Sequence, residues 1–221
     1  MPKSKSIFTY SALLLLGLAA SLMSSGCNVI TPVAYAIHGP QKILPVYTLE
    51  EHASTVIFVD DPSSKIALRR LRLSIAQTAT STLLKKRVLT DMIDPRGILT
   101  AASKERHGDR MSITELGKAV GAEYVIYAVV TEFTLFPEAG SYTPTATMRM
   151  KVIEVATGER VWPENEFGNQ FKISIPQLPS TTGMDSSKRL KIESELATRS
   201  GLGLAQMFYK HEITETVITQ R

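Results

Sequence analysis

The sequence is poor in the residues that build disulfides and metal sites. Cys27 is the single cysteine of the 221-residue chain, so no intrachain disulfide can form. The four histidines are scattered, and no two of them share the spacing of a helix face or a strand face. A zinc site made of cysteine and histidine ligands is therefore not expected, and we predict neither a metal nor a cofactor.

The motifs of common nucleotide-binding and hydrolytic enzymes are also missing. The chain has no Walker A loop, no Gly-x-Ser-x-Gly elbow and no His-Glu-x-x-His motif. Gly201-Leu202-Gly203 lies inside a helical pattern and does not follow a strand, so it does not indicate a dinucleotide-binding loop. We expect these glycines to let a neighbouring element approach the helix closely. No pattern indicates a catalytic residue, and we predict that the protein is not an enzyme.

A strong charge of either sign is absent as well. The formal net charge is +4, and Lys3 and Lys5 fall in a segment that we expect to be removed, which leaves +2 on the mature chain. This charge is too small to indicate a nucleic-acid-binding protein. With 43% hydrophobic and 21% charged residues, the chain is typical neither of a disordered protein nor of a multi-span membrane protein.

The amino terminus has the pattern of a secretory signal. Two lysines among the first six residues precede the apolar segment Ile7–Met23, and small residues lead to Cys27. This pattern resembles the lipobox of bacterial lipoproteins, which are cleaved before the cysteine and acylated on it with fatty acids such as palmitate. The family prefers leucine where this chain has Ser24. The alternative is an ordinary signal sequence that is cut elsewhere, for instance after Ala34-Tyr35-Ala36.

These features divide the chain into three predicted parts. Residues 1–26 are a lipoprotein signal peptide, residues 27–53 are a lipid anchor with an extended tether, and residues 54–221 are one α/β periplasmic domain. Pro32, Pro40 and Pro45 favour the extended tether because proline restricts its own backbone and that of the preceding residue. In the lipoproteins that the chain resembles, aspartate after the cysteine favours the inner membrane. Asn28 at this position therefore predicts a protein on the periplasmic face of the outer membrane.

The segment Glu123–Leu135 predicts the central strand of the domain. No residue from Tyr124 to Val130 is charged, which indicates a strand that is covered on both faces of the sheet. The preceding elements alternate between strand and helix. They are predicted at Thr55–Val59, Lys65–Arg87, Val88–Ile93 and Ser112–Val120, with a weaker helix at Ile98–Arg106. Such alternation implies parallel strands joined by right-handed crossovers.

After the central strand the pattern changes to antiparallel strands. Thr145–Val155 alternates between apolar and polar residues, Ala156–Glu159 predicts a tight turn and Arg160–Trp162 returns. Residues 171–175 alternate again, and Asp185 or Ser186 then begins a last helix, Ser187–Lys210. The predicted fold class is α/β. It has a mixed sheet of about five strands, with a βαβαβ start followed by an antiparallel hairpin and with helices packed on the sheet.

Asp60 and Asp61 are the candidate functional residues of the domain. They follow the first predicted strand, at the end of the sheet where ligands of open α/β proteins bind. Two adjacent carboxylates can hold a cation or act as acid and base. The following Pro62-Ser63-Ser64 also predicts a turn, with one serine capping the next helix. Trp162 is a further candidate, either as an anchor for a partner or as a packed residue of the hairpin.

The segment Leu116–Ile126 carries a family resemblance. A helix that ends in Gly121-Ala122, followed by an acidic residue and Tyr124-Val125, leads into a strand, and a hairpin turns later at Thr157-Gly158-Glu159. This arrangement resembles a periplasmic α/β domain shared by the amino-terminal part of TolB, the lipoprotein activators of penicillin-binding proteins and the curli-secretion lipoproteins. The similarity covers about Thr55 to Lys210. It implies protein binding or ring assembly without catalytic residues.

The resemblance and the lipoprotein signal together predict a non-enzymatic envelope protein that acts as an adaptor or assembly component. The predicted partners are the membrane through acylated Cys27, other envelope proteins and further copies of the chain, but not nucleic acid. The alternatives are an envelope enzyme or a small-ligand binding module that uses Asp60 and Asp61.

Mass spectrometry of the mature amino terminus tests the anchor. We expect a fatty-acylated Cys27, because this cysteine directly follows the small residues of the lipobox-like segment. Each buried methylene of an acyl chain would then contribute about 0.8 kcal/mol to membrane binding. Cys27→Ser should abolish the acyl mass shift, whereas Ser25→Ala keeps a small residue before the cysteine and should preserve it. A mature chain that begins at Ile37 would contradict the anchor.

Overall fold

A computed structural model describes residues 41–103, 110–137, 142–176, 185–213 and 217–219. The predicted signal peptide, Cys27 and most of the predicted tether lie outside these residues. The described residues divide into two units, which contain residues 41–42 with 212–213 and residues 43–211 with 217–219. In the first unit the Ile213 amide donates to the Gln41 carbonyl at 2.9 Å. The main sheet, the helices and both candidate aspartates belong to the second unit.

The described part of the chain contains eight strands and four helices. The strands are β1 (Lys42–Ile43), β2 (Thr55–Asp60), β3 (Tyr124–Thr134), β4 (Thr145–Glu154), β5 (Arg160–Trp162), β6 (Asn169–Ser174), β7 (His211–Glu212) and β8 (Ile218–Thr219). The helices are α1 (Arg69–Lys85), α2 (Pro95–Ser103), α3 (Ile113–Val120) and α4 (Ser186–Gln206). Strands β1 and β7 pair with each other, and the remaining strands form the main sheet.

The main sheet is mixed. Its order is β2-β3-β4-β6-β8, and β5 pairs with β4. Strand β2 runs parallel to β3, from Thr55 opposite Tyr124 to Asp60 opposite Val129. The other neighbours, β3 with β4, β4 with β5 and β6, and β6 with β8, are antiparallel. The predicted α/β class with a mixed sheet is therefore confirmed.

Strand β3 is covered on both faces. Helices α1 and α4 pack on one face, in a core that includes Ile57, Ile75, Leu83, Ile126, Met148, Met150, Ile173 and Leu204. Helices α2 and α3 pack on the other face, in a smaller core of Val56, Phe58, Ile98, Leu99, Leu116, Ala122, Val125 and Val155. Val125 and Ile126 point to opposite faces, and both are 0% exposed. This two-sided burial confirms the prediction for the central strand.

The helix caps follow the sequence signals at α3 and α4. The Ser112 hydroxyl accepts from the Glu115 amide at 3.2 Å, and the Glu115 carboxylate accepts from the Ser112 amide at 2.7 Å, which completes the predicted capping box. Gly121 ends α3 with a φ of 75°, a left-handed conformation that glycine adopts without steric cost. The Asp185 carboxylate accepts from the Lys188 amide at 2.7 Å and caps α4.

The start of α1 differs from the prediction. The helix begins at Arg69 rather than at Lys65, its N-cap residue is Leu68, and no side chain caps it. Neither Ser63 nor Ser64 therefore has the predicted capping role. The preceding turn is held instead by the carboxylate of Asp61, which lies earlier in the chain and accepts two amides before the helix starts.

The strand predicted at Val88–Ile93 is reduced to one parallel bridge between Thr55 and Met92. Soon after Met92 the chain enters α2 at Pro95, whose fixed backbone suits the first turn of a helix, so the pairing does not continue along β2. The outer edge of β2 is also flanked by α1 and α2. The Arg69 guanidinium on α1 donates there to the Leu99 carbonyl on α2.

Gly201 in α4 lies directly against the backbone of α1. A Cβ at this position would lie 2.5 Å from the carbonyl oxygen of Ile75 and 2.7 Å from the Cβ of Thr78. No side chain fits such a space without moving one of the two helices. The close approach that we expected from Gly201-Leu202-Gly203 is therefore confirmed.

Gly201→Ala should lower the free energy of unfolding by about 1–3 kcal/mol, because the added methyl group overlaps the backbone of α1. Gly97→Ala in α2 is the matched control. Its Cβ would meet the Val120 side chain at 3.4 Å, and alanine in a helix is favoured over glycine by about 0.5–1 kcal/mol. Urea denaturation of both variants measures the difference. Unchanged or higher stability of Gly201→Ala would contradict tight packing of α1 on α4.

Candidate functional site

A cleft of about 530 Å³ lies at the carboxyl end of β2. Its apolar wall includes Phe58, Leu99, Ile113 and Leu116, which belong to β2, α2 and α3. Its polar and charged side chains are Asp60, Asp61, Arg72, Ser103, Arg110, Ser112 and Tyr127. The position agrees with the general rule that ligands of α/β sheets bind beyond the carboxyl ends of parallel strands. The cleft is therefore the candidate site of the domain.

Asp60 faces the cleft together with Tyr127. The parallel register pairs Asp60 with Val129 and Phe58 with Tyr127, so these side chains share one face of the sheet. The Tyr127 hydroxyl donates to Oδ2 of Asp60 at 2.9 Å. Burial, and then the nearby Asp60 carboxylate, raise the pKa of Tyr127 well above its ordinary value. The phenol consequently stays protonated at neutral pH and acts as a hydrogen-bond donor.

Asp61 is held by the backbone. Its Oδ1 accepts from the Lys65 amide at 2.8 Å and its Oδ2 accepts from the Ile66 amide at 2.7 Å. The residue is 8% exposed, so the carboxylate fixes the turn that follows β2. The carboxylates of Asp60 and Asp61 thus bind different groups and do not act as a pair. Among the described residues, no three acidic, histidine or cysteine side chains come together to hold a metal ion.

Two guanidinium groups line the same cleft. Arg72, on α1, is half-buried, and Arg110, which precedes α3, is exposed. The positive charge of Arg110 acts on Tyr127 and partly opposes the rise in the pKa of its phenol. Neither arginine has a hydrogen-bond or ion-pair partner in the part of the chain that the structure describes. Both charges are therefore available to a molecule in the cleft.

The sequence indicated Asp60 and Asp61 but not the residues that surround them. Tyr127 belongs by pattern to the buried central strand, and Arg72 to the polar side of a long helix. No local signal shows that they converge with Arg110 on one cleft. The parallel register of β2 with β3 is the missing information, because it alone brings Tyr127 next to Asp60.

Trp162 lies in the packing between β5 and the end of α4. Its ring centroid is 6.1 Å from that of Tyr47 and 6.3 Å from that of Phe208. The Val46 amide donates to the Met207 carbonyl at 2.8 Å, so this part of the predicted tether also lies along the end of α4. Burial raises the pKa of Tyr47, and the neighbouring Glu50 adds to this effect. Trp162 remains half-buried, with its ring among other aromatic rings.

Beyond the cleft, the same face of the sheet carries no described helix. Met148 and Met150 point into the larger core, so Arg149 and Lys151 of the same strand point away from it. On β6 the outward positions alternate with buried ones in the same way. The outward side chains form a surface that we call the open sheet face: Val129, Glu132, Thr147, Arg149, Lys151, Gln170 and Lys172.

The open sheet face continues directly from the cleft. In the antiparallel register, Tyr127 lies opposite Lys151 and Val129 lies opposite Arg149. None of the three basic side chains of this face has an ion-pair partner among the described residues.

The described helices include none that is both long and apolar enough to cross a membrane.

Residues 69–166 match the family model of the peptidoglycan-synthase activator LpoB. This match confirms the family resemblance predicted from Leu116–Ile126. It covers less than half of the chain and includes Arg72, Arg110 and Tyr127, but not Asp60 or Asp61. No curated protein sequence matches the chain.

Several solved structures are similar to this chain at low sequence identity. A dodecamer of a PelC variant from Paraburkholderia phytofirmans is 13% identical, with 76% of this chain and 97% of that chain covered and a TM-score of 0.39. The lipoprotein GNA1162 from Neisseria meningitidis is 11% identical, with 68% and 97% covered and a TM-score of 0.39. The LpoB structure from E. coli is 18% identical, with 57% and 58% covered and a TM-score of 0.36. At TM-scores below 0.5 these likenesses carry no argument about function.

Alanine substitutions distinguish the two aspartates. Asp61→Ala should lower the free energy of unfolding by about 1–3 kcal/mol, because two amides lose a charged acceptor. Asp60→Ala should cost about 1 kcal/mol or less, because water in the cleft can replace the carboxylate as the partner of Tyr127. Chemical denaturation of both variants provides the comparison. A larger loss for Asp60→Ala would show that the structural role belongs to Asp60 instead.

Proposed function

We propose that the protein is a non-enzymatic, lipid-anchored adaptor that regulates a peptidoglycan synthase by direct protein contact. The observation that carries this proposal is the match of residues 69–166 to the activator family. The lipobox-like segment before Cys27 supports attachment through an acylated cysteine, and Asn28 supports the outer membrane. The domain would then work in the periplasm, at the end of a tether that follows the lipid.

The open sheet face is the surface that fits such a partner best. This face belongs to the antiparallel part of the sheet, which commonly leaves one side open, and no described helix covers it. Arg149 is exposed, and Lys151 and Lys172 are half-buried on this face. Unpaired basic groups of this kind favour an acidic partner, since complementary charge increases both the rate and the specificity of association. We therefore assign the synthase contact to the open sheet face.

The geometry of the aspartates supports an adaptor over an enzyme. An acid–base pair needs two carboxylates that can reach one substrate, but both oxygens of Asp61 already accept backbone amides. Oδ2 of Asp60 accepts from a phenol whose pKa is raised by burial. The remaining polar groups of the cleft are suited to binding rather than to proton transfer.

Site-specific photocrosslinking in cells tests the proposed contact. A photoreactive residue at Gln170, on the open sheet face, should crosslink to a peptidoglycan synthase in the envelope. The matched control is Thr198, which is also an exposed position but lies on α4. Crosslinks from Thr198 with none from Gln170 would assign the contact to another surface. The absence of any envelope protein in either crosslink would contradict the adaptor role.

Charge reversal provides the second measurement. Arg149→Glu combined with Lys172→Glu should weaken binding to the crosslinked synthase by at least about tenfold, because each like-charge contact costs on the order of a kcal/mol. Lys191→Glu, on an exposed position of α4, is the control and should leave the affinity unchanged. Wild-type binding should also weaken as salt is raised. Affinity that is equal in all variants would refute an electrostatic contact at this face.

A further inference from the structure

Among the described residues, the cleft is lined by side chains of opposite charge that form no ion pair with one another. Asp60 lies on one strand, while Arg72 and Arg110 reach the cleft from α1 and from the start of α3. No ion pair joins these residues in the described part of the chain. We propose that the cleft binds an amino acid or short peptide that carries both a free carboxylate and a free amino group.

The two arginines provide the carboxylate end of this site. A guanidinium group offers parallel N–H donors that match the two oxygens of a carboxylate. Arg72 is half-buried on a regular helix, so its backbone position is fixed. Arg110 is exposed and also lines the cleft. Two such groups, with no partner among the described residues, attract an anionic group more strongly than one surface arginine does.

Asp60 provides the amine end. Its Oδ2 is occupied by the Tyr127 hydroxyl at 2.9 Å, which fixes the orientation of the carboxylate. Its Oδ1 has no partner among the described residues and can accept from an ammonium group. The pKa of Tyr127 is raised, so the phenol remains neutral and adds no second negative charge at neutral pH. Asp61 contributes its negative charge but no free oxygen, because both of its oxygens accept amides.

The mixed charge of the cleft selects against simpler ligands. A plain anion would be attracted by the arginines but repelled by Asp60 and Asp61. A plain cation would be attracted by the two aspartates but repelled by the arginines. A ligand with both charges satisfies both sets of groups, while its apolar part contacts Phe58, Leu99 and Leu116. The volume of about 530 Å³ falls within the roughly 300–1,000 Å³ that is typical of small-molecule sites.

This inference goes beyond the proposed adaptor role and does not depend on it. The cleft and the open sheet face share the sheet but are formed by different side chains. Loss of the synthase crosslink with peptide binding intact would contradict the adaptor role alone. Loss of peptide binding with the crosslink intact would contradict the ligand site alone.

Calorimetric titration of the full chain in detergent tests the site, with trialanine as the probe. Trialanine with both termini free should bind, and N-acetylation or carboxyl-terminal amidation should each weaken the affinity by at least about tenfold, because each removes one charge-assisted contact. Doubly blocked trialanine should not bind measurably. Because these peptides differ only at their termini, the comparison requires no protein variant.

Protein variants assign each end of the peptide. Asp60→Asn keeps an acceptor for the Tyr127 hydroxyl but removes the charge, so free and N-acetylated trialanine should bind with equal affinity. Arg72→Gln should reduce the difference between free and amidated trialanine, because Arg110 alone then remains to bind the carboxylate. Lys191→Gln, on an exposed position of α4, is the control and should bind as the wild type does. Circular dichroism establishes that each variant is folded.

Two outcomes would overturn the proposal. The first is wild-type protein that binds free, acetylated and amidated trialanine equally, which would indicate contact with the apolar wall only. The second is folded wild-type protein that binds none of the three at millimolar peptide. Either result can be read from the peptide series alone, even if Asp60→Asn or Arg72→Gln fails to fold.

Discussion

The domain depends on the burial of β3 on both of its faces at the same time. Val125 belongs to the core under α2 and α3, and Ile126 belongs to the core under α1 and α4. Each such side chain contributes about 1.5–3 kcal/mol when it is removed from water. A charged residue at either position would have to be buried against one helix layer or the other. The parallel pairing with β2 and the antiparallel pairing with β4 are both arranged around this strand.

The two helix layers differ in extent, and this difference creates both the candidate cleft and the open sheet face. Helices α1 and α4 cover the sheet from β2 to β6 on one face, whereas α2 and α3 cover mainly β2 and β3 on the other. Where the shorter layer ends, the sheet exposes its polar side chains. The cleft with Asp60 and Tyr127 lies beside the shorter layer, and the basic strand positions Arg149 and Lys151 lie beyond it. The unequal helix cover of the two sheet faces thus produces both the concave cleft and the flat open sheet face.

The sequence predicted the features that depend on local pattern. The uncharged run in β3, the capping box at Ser112 and the turn near Gly158 each have a signal within a few residues, and the structure confirms them. It did not predict features that depend on which distant segments meet. The segment Val88–Ile93 has the composition of a strand, but the entry into α2 limits it to one bridge. The candidate site likewise needs the register of β2 on β3, which no local pattern contains.

The contacts at the outer side of β2 also determine how this sheet can be extended. Arg69 on α1 donates to the Leu99 carbonyl on α2 and, at 3.0 Å, to the Ser103 hydroxyl, and Met92 is bridged to Thr55. These contacts cover the first residue of β2 and flank its outer edge, which hinders an incoming strand on that side. On the opposite side, within the described residues, β8 pairs with β6 only at Lys172 and Ile173. Strand addition, whether from a second molecule or by exchange of the terminal segment, is therefore directional and favoured on the β6 side.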